Sequence, residues 1–160
     1  MSFLATANPP AHGTEPAVAN DGFFPAVDCE ALRTDIRLEG TVTAARLKLA
    51  VVDAMLAVNG ELQQWRATQE QAGHATLASV PAASLAGESA KVHQYRKAIY
   101  AHVGASLAEA YRDMDTLPQG AGKEARVMGG LETRVDAFHQ QLRWAIADMQ
   151  GKSRVIAELL

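Results

Sequence analysis

Apolar residues return every three or four positions along three stretches of this chain, and glycine and proline cluster in the segments between them. The most informative stretch runs from Arg37 to Arg66. Within it Leu47, Val51, Met55, Val58, Leu62 and Trp65 fall on one face of a helix, which must be buried. Leu49, Val52 and Leu56 form a second, narrower row, so the spacing predicts neighbours on more than one side. Thr41 or Thr43 is the expected N-cap, and Gly73 stops the helix just after Gln71. Gly60 inside it costs about 1 kcal/mol relative to alanine, which predicts a kink or a close helix contact there.

A second long helix is expected from Glu88, with Val92, Tyr95, Ile99, Val103, Leu107, Tyr111 and Met114 inward. A third carries Leu131, Val135, Phe138, Leu142, Ile146 and Met149 until Gly151 ends it. Asp28 is placed to cap a short helix over Cys29 to Leu38. The segment HATLASVPAASLAGES reads as an ordered crossover pinned by Leu77, Val80 and Leu85. Thr116 to Gly130, with Pro118 and four glycines, reads as a flexible loop. The expected fold is therefore all-α: a bundle of three long helices and a short N-terminal one over residues 23–151, with no convincing alternating strand. Residues 1–22, rich in proline, glycine and small side chains, read as a mobile arm, and 152–160 as a short tail. Phe23 and Phe24, fixed by Pro25, are costly to leave in water; they either anchor the arm on a neighbour or cap this subunit's own core.

Composition narrows the class. A 160-residue chain with 48% hydrophobic residues closes one ordinary core. One cysteine, Cys29, forms no internal disulfide, no Cys/His spacing suggests zinc, and no apolar run spans a bilayer or forms a secretory signal, which predicts a soluble protein in a reduced cytoplasm. The net charge of -3 is uneven: residues 1–32 hold four acids and no Lys or Arg, leaving a nearly neutral body without the basic patch that drives tight DNA binding.

Candidate chemistry fails on spacing. Asp136 and His139 stand three apart, as ligands do in carboxylate-bridged metal bundles, but no second pair matches them, and Val135 and Phe138 take the inner face. His74, His93 and His102 share no ligand spacing. Gly120-Ala121-Gly122-Lys123 suggests a phosphate loop, yet Leu117 occupies the first glycine position, Glu124 replaces the Ser/Thr, and no buried strand precedes it. Trp65 and Trp144 sit beside apolar rows and report packing. The expectation is a protein without catalytic residues, metal or cofactor.

Four blocks, FFPAVD, RLEGTVTAARLKLAVVDAMLAVNGEL, SVPAASLAGES and LRWAIADMQGKSRVI, occur in an order and spacing that resembles the head-completion (L protein, GPL) family of contractile-tailed bacteriophages and related prophages. The resemblance runs from residue 23 to the C-terminus; Ser153 stands where the family often has proline. It implies a non-enzymatic connector at the head–tail neck of the virion, assembled in the host cytoplasm. Copies would form a ring, a dodecamer matching the portal, beneath the portal vertex of the DNA-filled head. The implied partners are the portal protein, a tail-completion or tail-terminator protein, other copies of this chain and, in passing, packaged double-stranded DNA; no membrane is involved.

A closed ring needs a heterologous contact. Apolar residues near both chain ends make Phe23, Phe24, Pro25, Val155, Ile156, Leu159 and Leu160 the expected contacts with a neighbour or the portal. The loop bearing Gly120, Gly122, Lys123 and Arg126 is the candidate to face the channel, with a solvated linker as the alternative. A helical adaptor unrelated to any virion explains the periodicity equally well, and ring formation on purified portal separates the two.

Overall fold

The computed structural model describes residues 15–38, 42–114 and 124–154, with side-chain detail at 15–38, 42–110 and 134–154. Among the described residues the chain forms α1 (Cys29–Asp35), α2 (Ala44–Glu61), α3 (Gln63–Gln71), α4 (Ala90–Met114) and α5 (Glu124–Gln150). A 3-10 turn at Leu77–Ser79 and a two-stranded hairpin, β1 (Ser84–Leu85) and β2 (Glu88–Ser89), stand between α3 and α4. The protein is all-α apart from this hairpin, as the periodicity predicts.

Side-chain caps set the helix starts. The Asp28 carboxylate accepts from the backbone N–H of Glu30 and Ala31 to open α1, and Thr43 Oγ1 accepts from Arg46 N–H to open α2. The expected break near Gly60 falls at Leu62, yet hydrogen bonding runs through it: Leu62 N–H donates to Val58 O at 3.0 Å, and Arg66 N–H to Leu62 O at 2.8 Å. α3 thus continues α2 after a local irregularity. Gly73 and Gly151, at φ of 93° and 68°, stop α3 and α5. The positive φ turns the next N–H back onto the helix, His74 to Gln69 O and Lys152 to Ala147 O.

Three expectations need correction. Glu88 lies in β2 instead of opening the second long helix; Ala86 and Gly87, with φ of 50° and 79°, make a two-residue turn of the kind that closes tight hairpins. Leu85 does not pin the crossover: Leu77 and Val80 are buried, while Leu85 is 57% exposed. α5 begins at Glu124, so Arg126, Gly129 and Gly130 belong to a helix and not to the flexible loop expected over Thr116 to Gly130. Two glycines cost a helix about 2 kcal/mol in propensity, and twenty residues of regular periodicity after them outweigh that.

α4 lies at the centre, with α5 packed most extensively against it and α2 on another side. Its inner residues Val92, Tyr95, Ile99, Val103 and Leu107 join Leu47, Val51, Met55, Val58 and Leu62 of the α2–α3 rod, and Ile146 and Met149 of α5, in one buried cluster. Gly104 lets the Phe138 ring of α5 lie against α4: a Cβ there would lie 2.7 Å from that ring, so any side chain would force the ring or the helix to shift.

Candidate functional site

The N-terminal approach to α1 is tied to the body. Val18 and Val27 pair in an antiparallel bridge with both backbone bonds at 2.9 Å, and Val18 is buried. Glu15 meets the Arg33 guanidinium through two bonds, 2.7 and 2.9 Å, and Arg33 also donates to Val42 O at 2.7 Å. Bidentate geometry at a largely buried pair fixes direction as well as charge. Residues 15–22, expected in the mobile arm, thus form a strap along the bundle.

Beneath the strap is a closed ring of hydrogen bonds. Asn20 Nδ2 donates to Tyr95 Oη at 2.8 Å, Tyr95 Oη donates to Asn59 Oδ1 at 2.7 Å, and Asn59 Nδ2 donates back to Asn20 Oδ1 at 2.9 Å. Burial raises the Tyr95 phenol well above its ordinary range, so it stays a neutral donor. Asp21 accepts from Phe23 and Phe24 N–H, and Arg66 pairs with Asp21 while lying over both rings, 5.2 and 5.9 Å from their centroids. Phe24 stacks on Tyr95 at 4.7 Å.

These contacts place the first group of sequence-derived candidates. Phe23 and Phe24 are 3% and 2% exposed inside this subunit's own core, and the carbonyl of half-buried Pro25 accepts from Asn20. Of the two readings the sequence leaves open for them, the burial fits the second, a cap on this subunit's own core, with the rings packed by Tyr95, Trp65 and Arg66. Val155, Ile156, Leu159 and Leu160 lie outside the described residues, as do Gly120, Gly122 and Lys123; Arg126 is placed only as a backbone position in α5.

The outward-facing apolar residues are others. Leu49 and Leu56, seven residues apart on α2, are 63% and 71% exposed, and Leu85 at the hairpin tip is the third large exposed hydrophobic among the described residues. Leu49 and Leu56 belong to the second apolar row that the sequence shows; Leu85 is where the sequence misled, since apolar character alone does not tell a pin from a tip. The His93 Nε2–H donates to the Leu85 carbonyl at 2.9 Å, anchoring the hairpin to α4. Beside it runs an open groove of about 540 Å³ lined by Asp35, Arg37, Arg96, Lys97, Arg134 and Phe138, in which cations outnumber anions. Arg96 holds the Glu88 carboxylate below its usual range through a 2.7 Å bond, and burial pushes Tyr100 on the groove wall up to about 12.

Nothing described converges for catalysis. Among the described residues no three His, Cys, Asp or Glu are placed to hold a metal ion. Asp136 is exposed, and His139 Nε2 lies 3.1 Å from Glu109 Oε1. Burial and the nearby Glu15 and Asp28 raise the Cys29 thiol above its ordinary value, which leaves it an inert core residue. The arrangement offers exposed surfaces instead: an apolar stripe on one helix, an apolar tip on a hairpin, and a charged groove.

Residues 18–160 match the family model described as phage head completion protein (GPL). The chain belongs to that family. A curated relative, the head completion/stabilization protein of Escherichia phage P2, is 40% identical over 144 residues, covering 90% of this chain and 83% of that protein. No solved structure matches the chain significantly. As a head completion family member, the chain is a structural component of a phage particle. The matched region opens at Val18, the first bridging residue of the strap, so the strap from Val18 onward, the hairpin and the five described helices lie within it.

Proposed function

We infer that copies of this head completion protein assemble as a ring on the portal vertex of the filled head, close or stabilise it, and present a platform to the tail. The observation that carries this is the match over residues 18–160 to a head completion family, by a chain whose described residues offer outward apolar surfaces and no catalytic cluster. Virion neck proteins must bind unlike neighbours above, below and beside them, which a helical body with apolar surface on several sides supplies. In this reading the portal protein sits on one side and a tail-completion or tail-terminator protein on the other, with packaged DNA passing through the centre. Residues 152–160, which add Val155, Ile156, Leu159 and Leu160, dock on the portal or an adjoining copy, and the 116–123 connection faces the channel. Electron microscopy of the purified protein mixed with its portal tests the proposal: a stacked annulus is expected, and portal particles left bare at saturating protein would overturn it. Deleting residues 152–160 removes attachment with helix content intact; undiminished attachment would rule out the tail's role.

A further inference from the structure

The three exposed leucines lie on two different flanks. Leu49 and Leu56 stand about 200° around α2 from the core residues Leu47 and Val58. The hairpin is anchored to α4 through His93, two positions and therefore about 200° from Tyr95, the residue by which α4 bonds to Asn59 of α2. The stripe thus faces outward beyond α2, and the tip is held on the side of α4 turned away from α2.

On the α2 flank, Asp53, Leu56, Ala57 and Gly60 occupy positions i, i+3, i+4 and i+7, the four corners that form a hole for a side chain from a facing element. All four are exposed, and a Cβ on Gly60 would meet nothing within 4 Å, so nothing inside the subunit requires a glycine there. Asp53 and Glu61 make this end of the stripe acidic. On the other flank Leu85, just before the Ala86–Gly87 turn, faces Glu88 across the hairpin; Arg96 is paired with that Glu88, while the adjoining groove, with Arg37, Lys97 and Arg134 against Asp35, is predominantly basic. Apolar knob and apolar hole, basic surround and acidic surround, lie on opposite sides of one molecule, the arrangement that a head-to-tail contact between identical copies requires.

We propose that the occupant of the α2 stripe is a second copy of this chain, whose Leu85 tip enters the hole formed by Asp53, Leu56, Ala57 and Gly60. The contact rests on the ring reading above and names its lateral interface. Being heterologous, it propagates around a ring instead of closing a two-fold dimer.

Cysteine pairing on assembled protein tests it. In the full chain carrying both Leu85→Cys and Ala57→Cys, oxidation on portal should give a ladder of covalent multimers beyond the dimer, while each single variant gives none, since Cys29 is buried. Adding Leu56→Asp should reduce the ladder roughly tenfold or more with helix content unchanged, because that side chain is exposed in the subunit. An annulus seen by microscopy without the ladder would overturn this contact and leave the ring standing. Failure of the unmodified protein to form an annulus would overturn the ring reading and this contact with it. A covalent dimer from the Leu85→Cys single variant would mean that tips meet each other, which also overturns the proposal.

Discussion

The two apolar rows of α2 are alike in composition and opposite in fate. Leu47, Val51, Met55, Val58 and, just beyond the helix, Leu62 are sealed against α4, while of the second row Val52 is half-buried at the core's edge and Leu49 and Leu56 face water. The inner row meets α4 through apolar packing and one polar ring, Asn20–Asn59–Tyr95, in which each amide and hydroxyl has a partner. The outer row has small neighbours, Ala45, Ala57 and Gly60, and no covering element among the described residues. Helical spacing marks a row as apolar; it does not say which molecule buries it. In an assembly protein that distinction separates folding from function.

Truncation should split the rows most sharply. Leu47→Ala, at a fully enclosed position, is expected to cost about 2–5 kcal/mol through lost burial and a residual cavity. Leu56→Ala should change the free subunit by no more than about 0.5 kcal/mol. Chemical denaturation of the two variants measures both. Equal losses would mean that the outer row is already covered in the isolated subunit.

A smaller effect should come from the polar ring beneath the strap. Tyr95→Phe keeps the stacking on Phe24 and removes the hydroxyl, leaving Asn59 Oδ1 and one Asn20 donor short of a partner in a closed site. The expected loss is about 1–3 kcal/mol. Hydrogen exchange should show residues 15–27 loosening ahead of α4 and α5; a uniform loss across the chain would mean that the ring does not specifically hold the strap.

A pH-dependent effect is expected on α4. His102 on α4 has its pKa lowered, chiefly by burial and then by His139 of α5, against the opposing pull of Asp53 and Glu109. A depressed folded value means that the unfolded chain takes up the proton more readily, so stability is full above about 6.5 and falls as pH drops from there through the folded value. His102→Gln should flatten the denaturation midpoint across that window. Asp53 also borders the outer stripe, so covering it in an assembly should alter the same titration, which NMR of the imidazole can follow.

Much of the body was legible because short-range physics settles it. Asp28, Thr43, Gly73 and Gly151 act where backbone groups at helix ends need partners or a left-handed turn, and the inner rows follow from periodicity alone. Three features depended on contacts distant in sequence. Nothing near Phe23 and Phe24 reveals that Arg66 and Tyr95 enclose them. Nothing in SLAGES distinguishes a buried pin from a hairpin tip, although Ala-Gly between two serine-bearing segments fits a tight turn. The glycine pair at Gly129 and Gly130 argued for a loop by local propensity, yet lies within α5. The first apolar row could be assigned to the core because every soluble helix needs an inner face; the second could be assigned only once its exposure was known.

Gly60 offers the smallest and most specific perturbation. A glycine in a helix costs up to about 1 kcal/mol relative to alanine and persists when something requires the missing side chain. Gly104 has such a reason inside the subunit, the Phe138 ring, whereas a Cβ on Gly60 would meet nothing within 4 Å. Gly60→Ala should therefore stabilise the free subunit by a few tenths to about 1 kcal/mol, measured as a higher denaturation midpoint. If a neighbour's side chain enters the hole bounded by Asp53, Leu56 and Ala57, the same methyl group should weaken ring formation on portal. A gain in stability accompanied by a loss of assembly places the cause of this glycine in the neighbouring copy. A gain in both would show that the position is only a weak point in α2, and the outer row would then need a different occupant.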